Sequence, residues 1–179
     1  METIETERLI LRKLTADDAA FALELLNEPA YIKNIADRGV RTEADAVNYI
    51  TKGPLASYEK FGLGLNAVVL KETGATIGMC GLLRRDYWDE TDIGYALLER
   101  FWYKGYAYEA AAAMIDYGRK VLGLKRIVAI TAPDNDASIK LLEKVGLRFE
   151  KMIQLPGYEG EDTRFFVWEE SQSGDENEK

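Results

Sequence analysis

Histidine is absent from this 179-residue chain, so no Ser-His-Asp triad, Cys-His pair or histidine-ligated metal can be built from it. Zinc chemistry is all but excluded, and no metal site is expected. Cysteine is almost as scarce. Cys80 stands alone, which rules out an intramolecular disulfide and suits a reducing, cytoplasmic setting. No apolar run approaches the roughly 18 consecutive residues that a membrane span needs. The segment Met1-Glu2-Thr3-Ile4-Glu5-Thr6-Glu7 is acidic, has no apolar core and does not read as a secretory signal. Positive charge is in deficit: 23 Lys and Arg face 31 Asp and Glu, a net of −8. Such a balance disfavours nucleic acid and anionic membrane surfaces as partners. Neither Gly-x-x-x-x-Gly-Lys-Ser/Thr nor Gly-x-Gly-x-x-Gly occurs, which counts against nucleotide hydrolysis and dinucleotide chemistry.

What is present describes one globular unit. Hydrophobic residues make up 47% and charged residues 30% of the chain, near globular averages, and the length suits a single domain with a real core. That domain is expected over residues 1–170, followed by an acidic, disordered tail at 171–179.

Arg8-Leu9-Ile10-Leu11-Arg12 reads as the first strand. Thr15-Ala16-Asp17-Asp18 and Thr42-Glu43-Ala44-Asp45 carry a hydroxyl three residues before an acid, the start signal of a helix. The first helix is expected to stop at Pro29. The second is expected to break near Gly53-Pro54 and resume to about Tyr58. Leu63 to Leu70 and Thr76 to Leu83 are apolar and β-branched, and Glu72-Thr73-Gly74 between them supplies turn chemistry, so they read as a hairpin. Asp92 to Leu98 extends the sheet. Arg126 to Thr131 is a strand, Asp136 to Val145 a helix, and Leu147 to Leu155 and Thr163 to Trp168 the last two strands. The pattern predicts an α+β domain with a mostly antiparallel twisted central sheet flanked by helices.

The densest signal lies between Asp92 and Phe149. A strand runs into Trp102-Tyr103-Lys104-Gly105-Tyr106-Ala107 and then at once into an Ala-rich helix, whose apolar stripe passes through Tyr106, Ala110, Met114 and Tyr117. Backbone N–H groups converge where a strand, a glycine turn and a helix meet, and the helix dipole adds positive potential. This favours an anion, most often a phosphate. The residues by themselves also allow a plain tight turn at Gly105. A second strand–helix junction holds Asn135-Asp136-Ala137-Ser138, and Gly146-Leu147-Arg148-Phe149 closes the unit. A phosphate cradle beside a polar second junction points to a nucleotide-bearing cofactor.

Together these residues resemble the GCN5-related N-acetyltransferase (GNAT) superfamily, in its ribosomal-protein N-terminal acetyltransferase-like (RimJ/RimL-type) branch. The family loop runs roughly Gln/Arg-x-x-Gly-x-Gly/Ala. Gly105 and Ala107 match it, while Trp102 replaces the first residue. The resemblance spans Glu5 to Trp168 and implies that acetyl-coenzyme A is the cofactor. On that model the backbone of Lys104, Gly105, Tyr106, Ala107 and Tyr108 grips the pyrophosphate. Leu97 and Leu98 offer main-chain groups to the pantetheine arm in a splay between their strand and Ile127 to Ile130, and a strand N–H near Leu97 holds the oxyanion. Asn135 bonds the arm or a nearby carbonyl; as a residue it is equally a helix cap. Many relatives carry a tyrosine seven positions after the asparagine to protonate the thiolate, but here that position is Leu142. Ser138 takes the comparable place in the ribosomal branch and is expected to hydrogen-bond the thiolate.

Asp92 is the expected general base, acting through a water, with Glu90 and Glu159 as alternatives. Any of the three also reads as a surface carboxylate. Tyr87, Trp88, Tyr158 and Glu159 are expected around the acceptor, a small amine or a protein N-terminus. The resemblance implies an enzyme acting by direct attack of a primary amine, as a monomer or homodimer. The competing class is a non-catalytic acyl-coenzyme A sensor or interaction module of the same fold.

Overall fold

The computed structural model describes residues 3–170 apart from Tyr87 and Tyr158. The two tyrosines expected near the acceptor and the acidic tail at 171–179 therefore lie outside the described residues. Eight strands form one sheet: β1 (Ile4–Glu5), β2 (Leu9–Lys13), β3 (Leu65–Leu70), β4 (Thr76–Arg85), β5 (Trp88–Leu97), β6 (Arg126–Thr131), β7 (Arg148–Gln154) and β8 (Asp162–Glu169). Their spatial order is β1-β2-β3-β4-β5-β6-β8-β7. Every neighbouring pair is antiparallel except β5 and β6. That parallel pair meets at one register point, Asp92 opposite Val128. Beyond it no further pair joins the two strands, so the edge of β5 over Ile93 to Leu97 is left open toward β6.

Helices cover both faces, as an α+β sheet with apolar residues on each side requires. On one face α5 (Tyr106–Lys120) and α6 (Asp136–Lys144) pack on Leu82, Ile93, Leu97, Ile127 and Phe166. Ala110, Ala111 and Met114 are buried there, so the alanine-rich stripe of α5 is its sheet-facing side. On the other face α1 (Ala19–Asn27), α2 (Pro29–Asn34) and α3 (Glu43–Ile50) enclose a second core that includes Leu25, Ile50, Met79 and Leu98, while Phe61 of α4 (Ala56–Phe61) packs against the first core. Side chains of β5 alternate between these cores, with Ile93, Tyr95 and Leu97 toward α5 and α6, and Ala96 toward α1 to α3.

Both hydroxyl–acid start signals form capping boxes. At the second, Asp45 N–H donates to Thr42 Oγ1 at 3.1 Å and Thr42 N–H to Asp45 Oδ2 at 2.9 Å. Two proline expectations are corrected. Pro29 does not merely end α1; it is the first residue of α2, where its missing N–H needs no partner. Nor does Gly53-Pro54 break a helix. The chain stays helical from α3 into α4 through a π turn at Thr51–Leu55, which absorbs the bond that Pro54 cannot donate. β5 begins at Trp88 rather than Asp92, so Asp92 lies mid-strand.

Candidate active site

Three elements converge on the opening between β5 and β6. The first is the end of β5. Leu98 N–H donates to Ile77 O at 3.0 Å. Antiparallel strands exchange such bonds at alternate residues, so Leu98 and Ala96 direct their main-chain groups toward β4, and Tyr95 and Leu97 direct theirs toward β6. Leu97 thus turns its main-chain groups toward the β6 side. Leu98 instead gives its N–H to the sheet and its fully buried side chain to the second core. The Leu97 carbonyl accepts Trp102 Nε1–H at 2.7 Å. That contact gives Trp102, the departure from the family loop, a physical role: it ties the loop to the strand end.

The second element is the loop and the start of α5. Tyr103 has φ +58° and is 93% exposed, and Gly105 follows with φ +82°. The left-handed turn is natural for glycine and delivers the chain straight into the helix. The first helical bond runs from Glu109 N–H to Gly105 O at 3.0 Å. It leaves the N–H groups of Tyr106, Ala107 and Tyr108 without helical acceptors, and no side chain caps this end. By contrast, Thr42 caps α3 and Asn135 caps α6. A Cβ on Gly105 would lie 3.2 Å from an Arg8 guanidinium nitrogen. The cradle therefore combines N–H donors without helical acceptors, a positive dipole end and a left-handed residue with no side chain of its own, which fits a diphosphate.

The third element is the start of α6. Asn135 Oδ1 accepts Ser138 N–H at 3.1 Å, so its oxygen serves as the helix cap, one of the two readings open to it. Ser138 Oγ lies 2.8 Å from the Tyr95 hydroxyl, which comes up from β5. Burial raises the Tyr95 phenol above its ordinary value of 10, against the lowering effect of its bond to Ser138, so it stays protonated across the working range. Tyr95 was missed by sequence reasoning. Its only signal was that it alternates with Ile93 and Leu97 on the face that carries α6.

Asp92 sits at the apex of the splay with 0% exposure. Its Oδ2 pairs with Arg85 Nε, and its buried Oδ1 has no hydrogen-bond partner among the described residues. Burial raises its pKa above the ordinary 3.8, outweighing the pull of Arg85. Glu90 is tied to Arg126 at 3.1 Å. Glu159 is wholly exposed, and the Gly157 N–H donates to its Oε1 at 2.9 Å, which holds its carboxyl below its ordinary value. Trp88 packs edge-on against Phe165 at 5.6 Å and borders a cavity of about 280 Å³ together with Glu90, Ile153, Gln154, Leu155 and Pro156. Glu159 is not among its walls.

The model of the acetyltransferase (GNAT) domain family matches residues 8–148. This chain belongs to the GNAT family. It is 37% identical over 159 residues to an uncharacterized N-acetyltransferase, p20, of Bacillus licheniformis, with 86% of each chain covered. The solved acetyltransferase of the GNAT family from Bacillus anthracis superposes with a TM-score of 0.79 at 28% identity, over 94% of this chain and 98% of that one. RimL, a ribosomal L7/L12 α-N-protein acetyltransferase solved in complex with coenzyme A, shares the fold at a TM-score of 0.80 and 15% identity, with 94% and 98% covered. As a GNAT acetyltransferase the chain uses acetyl-coenzyme A. Among the described residues no helix is long and apolar enough to cross a membrane.

Proposed function

We propose that this acetyltransferase acetylates a primary amine, with a protein N-terminal α-amine favoured over a small amine by the resemblance to the ribosomal branch. The reading is carried by the opening between β5 and β6, flanked by the uncapped start of α5 and by the Ser138–Tyr95 pair. Acetyl-coenzyme A supplies an activated acetyl thioester. The chain's own groups then have separate tasks. Main-chain N–H groups from Lys104 to Tyr108 hold the diphosphate, and the Leu97 main chain lines the opening. The Ser138 hydroxyl stabilises the leaving sulfur, and the Tyr95 phenol fixes the orientation of that hydroxyl.

Asp92 is proposed as the base, through one bridging water to the amine, because its carboxylate is desolvated and one oxygen is unpartnered. Trp88 is proposed as an acceptor wall, because it borders the cavity beside Glu90 and Phe165.

Two observations favour a second reading. Asp92 is closed off by Arg85 and Leu142 replaces the usual tyrosine, so a sensor that binds acyl-coenzyme A without turnover is the competing class. Thiol release from acetyl-coenzyme A, followed across a panel of amines and N-terminal peptides, separates the two. Turnover with any amine supports the enzyme; binding with no turnover on the whole panel supports the sensor.

A further inference from the structure

Arg8 precedes β2, far in sequence from the loop at Trp102 to Ala107, yet it is bonded both to that loop and to the first turn of α5. Its backbone N–H donates to Glu109 Oε1 at 2.8 Å and its Nε to Glu109 Oε2 at 2.7 Å. Thr6 Oγ1 adds a bond to Glu109 Oε1 at 2.6 Å. The guanidinium lies 4.5 Å from the centre of the Tyr106 ring, and its Nη1 donates to the Lys104 carbonyl at 3.0 Å.

That last bond has a directional consequence. In a trans peptide the C=O and the following N–H point in opposite directions. By holding the Lys104 carbonyl, Arg8 turns the Gly105 N–H to the other side of the loop and keeps a partial negative charge away from the anion. The contact to Glu109 has an electrostatic one. A carboxylate in the first turn of a helix opposes a second anion at that end, and the Arg8 guanidinium offsets it. Lysine cannot replace this geometry, because a point ammonium cannot bond Glu109 and the Lys104 carbonyl while stacking on Tyr106.

We infer that Arg8 is a positioning residue for the cofactor, orienting the Lys104–Gly105 peptide and neutralising Glu109 so that the cradle accepts a diphosphate. The inference rests on the reading that this loop holds the diphosphate, and the test separates the two. Coenzyme A is titrated calorimetrically into the wild type, Arg8→Lys and Glu109→Gln, and the Gly105 amide resonance is followed by ¹⁵N NMR in the same titrations. In the wild type the Gly105 amide is expected to shift downfield as it bonds the phosphate. In Arg8→Lys the affinity is expected to fall about tenfold and that shift to shrink, with the unliganded fold retained by circular dichroism. Glu109→Gln keeps the shape of the side chain but loosens the anchor of the Arg8 guanidinium. The Gly105 shift is expected to shrink as in Arg8→Lys, while affinity falls less because the charge opposing the anion is also gone. This variant carries the test if Arg8→Lys fails to fold. A wild-type Gly105 amide that ignores bound coenzyme A would remove the loop reading, and this inference with it. A normal wild-type shift that the variants reproduce, or affinity unchanged in both, would overturn the role of Arg8 alone.

Discussion

Ser138 and Tyr95 lie 43 residues apart in the chain and 2.8 Å apart in space. Nothing in either stretch of sequence names the other as partner, and for that reason the serine was legible and the tyrosine was not. If the Ser138 hydroxyl bonds the developing thiolate, Ser138→Ala should lower kcat about 10- to 100-fold, the worth of one hydrogen bond to a charged group. KM for acetyl-coenzyme A should change little, and steady-state kinetics read both. Tyr95→Phe should act in the same direction but less, since it removes only the group that orients the hydroxyl; an undiminished kcat in both variants would take the pair out of the reaction. Asp92 gives a pH test. Its folded pKa is raised, so the acidic limb of kcat/KM should lie above the ordinary aspartate value of 3.8, with activity rising as the carboxylate ionises. Asp92→Asn should abolish that limb. A variant that keeps it would show that another group is the base.

At the scale of elements, the strand–turn–helix unit was the most readable part because its chemistry is local. Glycine at a left-handed turn, a polar junction and an alanine stripe are each written in consecutive residues. β6 was recovered at Arg126–Thr131 for the same reason, as an apolar run between a helix stop at Gly123 and Pro133. The prolines were ambiguous because one property, the missing N–H, serves either to end a helix or to begin one. Position relative to the neighbouring helix decides, and tertiary packing sets that. Asn135 shows how one residue serves element and site together. Its cap on α6 fixes the turn that carries Ser138. Asn135→Ala should cost about 1 kcal/mol, a fall of roughly 2–4 °C in melting temperature for a chain of this size, and kcat should drop with it. Unchanged melting would show that the cap contributes nothing.

At the scale of the whole molecule, two carboxylates join distant parts of the fold. Asp18 receives both Arg12 guanidinium nitrogens at 2.8 Å, with the Thr15 N–H at 2.9 Å. Glu109 fastens α5 to the β1–β2 hairpin. Burial pushes both upward, but these bonds outweigh it and hold both below their ordinary values of 3.8 and 4.5. A carboxylate with a depressed folded pKa is protonated more readily in the unfolded chain. Its stabilisation is complete above the unfolded value and is lost as pH falls through the folded one. The contribution of these two groups to thermal stability should therefore be flat above about pH 5 and decline in acid, and Asp18→Asn should be less stable at neutral pH with a shallower acid decline. A parallel decline in wild type and variant would dissociate Asp18 from it.

The sheet order and the splay at Asp92 and Val128 belong to this scale too. They could be reached from the sequence only through resemblance, because no local pattern encodes where two parallel strands separate.

Calorimetric titration of coenzyme A into the wild type and Gly105→Glu is the most direct test, since the glutamate would bring bulk and negative charge to a left-handed turn position where an added Cβ would lie 3.2 Å from Arg8. Measurable heat with the wild type and none with a folded Gly105→Glu is the predicted result, whereas equal affinities would place the cofactor's diphosphate elsewhere and contradict the site described for this fold.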